Sequence, residues 1–343
     1  MWRDRTAIAA RRAARPAHDR IARMWNAYWT TAPGRGELRP EPAREPGPGE
    51  ALVRSLRSGI SRGTELLVHR GEVPPQVAGT MRAPFQAGEL PGPVKYGYLS
   101  VGVVEAGPAE LVGRRVFCLY PHQDRYVVPA SALTPVPDGV PSERAVLAGT
   151  VETAVNAVWD AAPRLGDRVA VVGAGMVGGT VAALLRTFPL DRLELVDPNP
   201  ARAGVAAALG VTWRHPDDAA DGCDVVVHCS ATEEGLARGL ELLGEEGELV
   251  ELSWYGTREP RVPLGAAFHA RRLTVRASQV GAVAAARRAR RTTADRLALA
   301  LRLLADPAFD AFLTGRSAFT DLPATMTALA DDQAALCHLV TYP

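Results

Sequence analysis

At 343 residues, with 47% hydrophobic and 22% charged side chains, the chain holds enough apolar material for two packed lobes. A formal net charge of +1 gives no global attraction to nucleic acid or to an anionic membrane, so neither is expected as a partner. Cys118, Cys223, Cys229 and Cys337 stand far apart with no CxxC pair, which speaks against a zinc knuckle or a disulfide framework and suits a reducing cytoplasm.

The opening "MWRDRTAIAARRAARPAHDRIARM" is rich in Arg and Ala and lacks the continuous apolar core of a signal peptide. Residues 1–24 therefore read as a basic N-terminal extension, with Arg5 to Met24 able to form a helix and Met24 an alternative start. No apolar run in the sequence reaches the roughly 18 residues of a membrane span.

Residues 25–152 are punctuated by Gly and Pro around short β-type runs such as "EALVRSLRSG", "YLSVGVVEAG", "RRVFCLYP" and "RYVVPA". This is the texture of an irregular β-barrel. A helix is expected over "PSERAVLAGTVETAVNAVWDAA", starting at Pro141–Ser142. Residues 153–284 then alternate apolar strands with helices: "RVAVV", "LELVD", "CDVVVHCSA", "GELVELSWYG" and "RRLTVRASQVG" are the strands. That order predicts an α/β fold with a parallel, doubly wound sheet. Residues 285–343 return to the first lobe. There "RRARRTTADRLALALRLLADP" reads as a helix that begins in a solvated arginine cluster, and "CHLVTYP" as a short final strand.

Gly173-x-Gly175-x-x-Gly178 follows a buried strand and opens a helix, the context in which this spacing is informative. The first glycine makes the turn, the second admits a pyrophosphate, and the third lets helix pack on strand. Met176 and Val177 would add helix N-terminal N–H groups for the phosphates. Asp197, at the end of "LELVD", would accept from the adenosine ribose hydroxyls and repel a 2′-phosphate. NAD(H) is thus preferred, with NADP(H) possible because the Arg202 guanidinium could hold such a phosphate. Ligands bind at the C-terminal ends of strands in these sheets, which nominates Ser230, Ser253 and Ser278 for the nicotinamide half, with Trp254 and Tyr255 walling the substrate side. His269 reads as structural.

A β-rich lobe, a dinucleotide turn and a returning C-terminal segment together resemble the medium-chain dehydrogenase/reductase superfamily, from Trp25 onward. The resemblance implies a Rossmann domain joined to a GroES-like barrel, and commonly a homodimer formed through the last sheet strand, here "RRLTVRASQVG". Zinc members carry a pattern like "GxCGTD", then "GHE", then a Cys or Glu before the linking helix. In this chain "SGISRGTEL" places Ser61 at the cysteine, "KYGYLSVGVV" places Tyr98 and Leu99 after Gly97, and Gly149 falls near the last ligand. None is a good zinc ligand, and the cysteine-rich lobe of the structural zinc is absent from the sequence. A zinc-independent enzyme is expected, most similar to the branch typified by bacteriochlorophyllide a dehydrogenase, from which only the reaction type is carried over.

Without a metal, a side chain must manage the proton on the reacting oxygen. The resemblance puts Tyr98 in the cleft, with Lys95 as a neighbour able to lower its pKa. Ser61 and Thr64 could relay a proton or bind the nicotinamide ribose. Glu65, His69, His122 and Glu152 complete the candidates: Glu65 as a backbone acceptor or an acid, His69 as a relay end, His122 near the cleft mouth, and Glu152 as a substrate-binding carboxylate. The expected activity is an NAD(H)-dependent interconversion of alcohol and ketone or aldehyde on a small polar or ring-bearing metabolite. The alternatives are an NADPH-dependent enoyl or quinone reductase and a non-catalytic dinucleotide-binding protein.

Overall fold

The computed structural model describes residues 24–265 and 267–343. The expectation for the N-terminal extension lies outside the described residues, except that Met24 opens the first strand.

Six strands form a wholly parallel sheet in the spatial order Thr212–Arg214, Arg192–Val196, Arg168–Val172, Cys223–His228, Leu243–Glu251, Thr274–Ala277. Its central strand "RVAVV" is buried at four of five positions. A continuous apolar run of this kind is what a sheet covered on both faces requires. The order reverses between Arg168–Val172 and Cys223–His228, so a crevice opens at their C-terminal ends.

The β-rich part holds a seven-stranded sheet centred on Glu50–Ser61. Along the first half of that strand inner and outer residues alternate, the period-2 pattern of a half-buried surface. The C-terminal strands Leu313–Ala318 and Cys337–Thr341 join this sheet, the latter antiparallel to Glu50–Ser61 with Cys337 opposite Ser61. A smaller sheet contains the hairpin Met24–Ala32/Arg35–Pro42. The molecule is therefore an α/β protein with a Rossmann-like sheet and a separate β-rich domain.

The helix expected from Pro141 is split into Ser142–Ala145 and Ala148–Ala161. Between them the Leu147 N–H bonds to Arg144 three residues back, a tighter turn. Arg144 itself is fixed by Asp310 and by the Leu304 and Ala305 carbonyls. The arginine cluster does not begin the late helix. That helix runs Thr293–Leu303, because Thr292 and Asp295 form a reciprocal capping box that sets its start. The segment Arg287–Arg291 stays in exposed turns.

Candidate active site

The glycine turn sits at the sheet's switch point. Gly173 has φ +102°, and a Cβ there would lie 2.6 Å from the Ser230 nitrogen, so the turn admits no side chain. A Cβ on Gly178 would lie 1.9 Å from the Gly173 carbonyl oxygen, which records how closely the helix Met176–Leu185 packs on the turn. Gly175 is different: a Cβ there meets no heavy atom within 4 Å. The open space over Gly175, at the N-terminus of a ten-residue helix, fits a pyrophosphate. Met176 is buried and Val177 half-buried at the start of that helix, so their backbone N–H groups, not their side chains, are what the cradle offers.

Asp197 directly follows the strand Arg192–Val196, beside this cradle. Its carboxylate accepts from the Ala174 N–H at 2.7 Å and the Asn199 N–H at 2.8 Å, which fixes it against the turn. Arg202 does not stand free for a phosphate. Its guanidinium donates to the Ala334 and Gln333 carbonyls at 2.9 and 2.6 Å, tying the helix Arg202–Leu209 to the C-terminal segment.

Tyr98 packs against two apolar clusters at once, one shared with the linking helix and the Rossmann strands, the other containing Tyr96 and flanked by Trp254. It therefore lies where the β-rich domain meets the loop that follows Leu243–Glu251. Burial pushes its phenol well above the ordinary value, the negative charge of Glu65 adds to this, and hydrogen bonding by the Ser61 and Thr64 side chains pulls the other way. The expected lowering by Lys95 does not occur. Lys95 Nζ is bound to Glu41 at 2.7 Å and Gln123 at 2.9 Å, with the Tyr120 ring 5.8 Å away. The sequence could not show these partners, the nearer of which lies 28 positions away.

Ser61 stands at the N-cap position of the helix Arg62–His69 without a side-chain capping bond, and its N–H donates to Glu65 Oε1 at 2.8 Å. The other Glu65 oxygen meets His122 Nε2 at 2.8 Å. His122 Nδ1 reaches Ser58 Oγ at 2.7 Å, and Ser58 reaches the Tyr342 hydroxyl at 2.9 Å. Through Glu65 this buried chain is close enough for its charge to act on Tyr98. Ser58, Tyr342 and the Glu65–His122 pairing were missed from sequence, since Glu65 and His122 are 57 positions apart. Gly97, at φ +131°, lies against the His122 ring, with a Cβ there only 3.0 Å from Cδ2. Gly97→Ala is accordingly expected to cost about 2–3 kcal/mol in a urea titration, from backbone strain and displacement of His122.

The remaining matched positions offer no ligand set for zinc. Leu99 is fully buried, and its Cδ2 lies 2.7 Å from where a Gly149 Cβ would stand, so two of the four positions form an apolar plug. Among the described residues no group of three or more His, Cys, Asp or Glu side chains is placed to hold a metal ion. The residues present do not fit the catalytic zinc of the dehydrogenases this chain resembles.

Three further candidates sit elsewhere. Glu152 is not in the cleft: it is 4% exposed and bound to Arg296 Nε at 3.0 Å, with Arg296 1% exposed. His69 is buried against Tyr28, Nδ1 to hydroxyl 3.3 Å, so it is not a relay end in contact with solvent, and burial, then Arg70, lowers its pKa. Ser278 donates to Asp160 on the linking helix at 2.7 Å and is thereby turned toward that helix. Ser230 and Ser253 lie together, joined through His228: Ser230 Oγ is 2.7 Å from Nε2 and Ser253 Oγ 3.3 Å from Nδ1. His269 is exposed on the short helix Ala267–Ala270.

Known proteins bear on this geometry. No protein-family model matches the chain. The Probable D-xylulose reductase A of Aspergillus clavatus is 25% identical over 195 residues, 51% of this chain and 54% of that protein. The chain thus spans about half the length of such a curated relative. Among solved structures, L-idonate 5-dehydrogenase from Escherichia coli superposes with a TM-score of 0.77 at 15% identity, over 93% of this chain and 98% of that one. An Escherichia coli alcohol dehydrogenase solved with NADH gives a TM-score of 0.72 at 16% identity, over 93% and 99%. The chain has the fold of these dehydrogenases.

Proposed function

We propose that the protein is a medium-chain dehydrogenase/reductase that interconverts an alcohol and a ketone or aldehyde on a small polar metabolite, using NAD(H) and no zinc. The observation that carries this reading is a half-buried phenol, Tyr98, packed on the same cluster as Trp254, which closely follows the Rossmann strand Leu243–Glu251, in a chain that also carries the open cradle over Gly175. The name of the D-xylulose reductase relative supports a polyol or keto-sugar as substrate class.

A nicotinamide, when bound, supplies or takes the hydride. The glycine turn and the helix N-terminus hold its phosphates, and Asp197 offers its remaining lone pairs to the adenosine ribose. The Arg202 bonds to Gln333 and Ala334 leave little for a 2′-phosphate, which supports NAD(H) over NADP(H) and weakens the enoyl reductase alternative. Because burial raises its pKa, Tyr98 keeps its proton and acts as a neutral donor to the substrate oxygen as negative charge develops there. Ser61 and Thr64 lie beside the phenol. In place of a metal, the site offers this donor. The exposed edge strand Thr274–Ala277 supports a homodimer joined edge to edge. Scattered free cysteines support a cytoplasmic setting.

The test is turnover on a panel of C4–C6 polyols with NAD+ and keto-sugars with NADH. Tyr98→Phe is expected to lower kcat by about tenfold or more while NADH affinity stays within about twofold. Unchanged turnover would take Tyr98 out of the proton path. Reduction of enones by NADPH in preference to keto-sugars by NADH would move the protein to the reductase alternative, and binding without any turnover to the non-catalytic one.

A further inference from the structure

The arginine-rich segment and the C-terminal end of the linking helix Ala148–Ala161 meet in a cavity that the proposed reaction does not use. It is half-open and holds about 460 Å³. Val158 and Trp159 come from the linking helix, Leu184 and Phe188 from the end of Met176–Leu185 and just beyond it, and Leu299 and Leu303 from the late helix. Apart from the Trp159 N–H, every buried or half-buried residue of the lining is apolar. Its charged lining is Arg287 and Arg290, both exposed. A smaller hollow of about 200 Å³ shares Trp159 and Leu299 and adds Arg291, Arg302 and Asp295.

The cations are held in place but not neutralised. Ala284, which precedes them, is buried, and its N–H donates to Asn156 Oδ1 on the linking helix at 3.0 Å. The turn that carries them closes through the Arg287 N–H to the Ala284 carbonyl at 2.8 Å and the Arg291 N–H to the Arg287 carbonyl at 3.0 Å. The capping box at Thr292 then fixes its far end. Elsewhere Arg144, Arg168, Arg238 and Arg296 each meet a carboxylate. Among the described residues none of Arg287, Arg290, Arg291 and Arg302 has such a partner. Asp295, the one acid lining either hollow, is engaged: it accepts from the Thr292 N–H and hydroxyl, each at 2.9 Å. The Arg287 guanidinium also lies over the Trp159 ring, 6.0 Å from its centre, so cation and apolar wall adjoin.

An apolar hollow edged by unneutralised guanidinium groups matches an amphiphile with an anionic head. We propose that this cavity is a binding site for a straight-chain carboxylate, its alkyl chain against Trp159, Leu184, Leu299 and Leu303 and its head on Arg287 and Arg290. Charge opposes the chain's own residues 1–23 as occupant, since they hold seven arginines and two acids. The site is separate from the dinucleotide cradle, which lies at the other end of Met176–Leu185, roughly 12 Å along the helix axis from Leu184. It does not depend on the nicotinamide reading.

The experiment titrates the full chain, by calorimetry, with octanoate, decanoate and dodecanoate below their micelle-forming concentrations, and with n-decanol as the uncharged control. Saturable binding is expected, with Kd falling about two- to fourfold for each added methylene. The double variant Arg287→Gln/Arg290→Gln is expected to bind decanoate about tenfold more weakly, and n-decanol within about twofold of wild type. Both side chains are exposed and make no ion pair among the described residues, so this variant should fold as the wild type does. Among the described residues Trp159 is the one tryptophan lining the cavity, so quenching of tryptophan fluorescence by ω-bromodecanoate should be mostly lost in Trp159→Phe. Equal decanoate binding by wild type and arginine variant, an affinity indifferent to chain length, or quenching that survives Trp159→Phe each overturns the proposal. Sedimentation with phosphatidylglycerol vesicles in the absence of decanoate binding makes the patch a membrane contact and overturns it equally.

Discussion

Gly175→Asp is expected to weaken NADH binding by about a hundredfold or more while leaving the thermal unfolding midpoint unchanged or slightly raised. The two halves of this result have separate causes. Gly175 has φ −76° and ψ −169°, extended backbone open to any residue, and nothing within 4 Å obstructs a side chain. It also occupies the N-cap of Met176–Leu185, which has no side-chain cap at present. Aspartate is among the best residues for that position, contributing about 1 kcal/mol. The same carboxylate then projects into the space proposed for the pyrophosphate and opposes it by charge and volume. A hundredfold change is about 2.7 kcal/mol, modest for two anions forced together in a partly buried site. Fluorescence titration with NADH and a melting curve on one preparation separate the two effects. Retained affinity would mean the phosphates do not sit over this turn. Gly178→Ala is the instructive contrast, because its Cβ collides with the Gly173 carbonyl and damages the fold itself.

Glu152→Ala is expected to cost about 3–5 kcal/mol of stability in a urea titration. Arg296 would keep Asn156 Oδ1 at 2.5 Å and the Val280 and Ala282 carbonyls at 2.5 and 3.2 Å, but its charge would lose its counterion inside the protein. The pair joins the linking helix Ala148–Ala161 to the late helix Thr293–Leu303, so the loss should fall on the packing of these two. Its short distance overstates its worth. Burial holds the Glu152 carboxyl above its ordinary range despite Arg296. Because the folded value is raised, the stability linked to this carboxyl is present in acid and declines as pH rises from the ordinary 4.5 through the raised value. The double variant Glu152→Leu/Arg296→Met should therefore recover most of the loss, since it removes both desolvated charges together. A double variant as unstable as the single one would show the pair to be a net source of stability.

What the sequence disclosed, and what it withheld, divides along the range of the interactions. The glycine turn was legible because its three glycines fall within six residues, between an apolar strand and a helix. The parallel sheet was legible because strands buried on both faces read as unbroken apolar runs such as "RVAVV". The helix Arg62–His69 was not, since Gly63 and Thr64 lower its propensity and what steadies it is Glu65 reaching back to its own first turn and across to His122. Lys95 and Glu152 were drawn to the site by position along the chain. Their partners, Glu41 and Arg296, lie 54 and 144 positions away, and only folding brings them near. The grouping around His228 was half visible: both serines were named as strand-end residues, but the imidazole joining them lies inside the apolar run "CDVVVHCSA".

The Arg202 contacts carry a last consequence. Its guanidinium clasps two peptide carbonyls, not an acid. Neutral acceptors do not titrate and are barely shielded by dissolved electrolyte. The seam between the nucleotide lobe and the chain's tail should thus hold equally in dilute buffer and in concentrated salt, and any ionic-strength dependence of cofactor entry must arise from other groups.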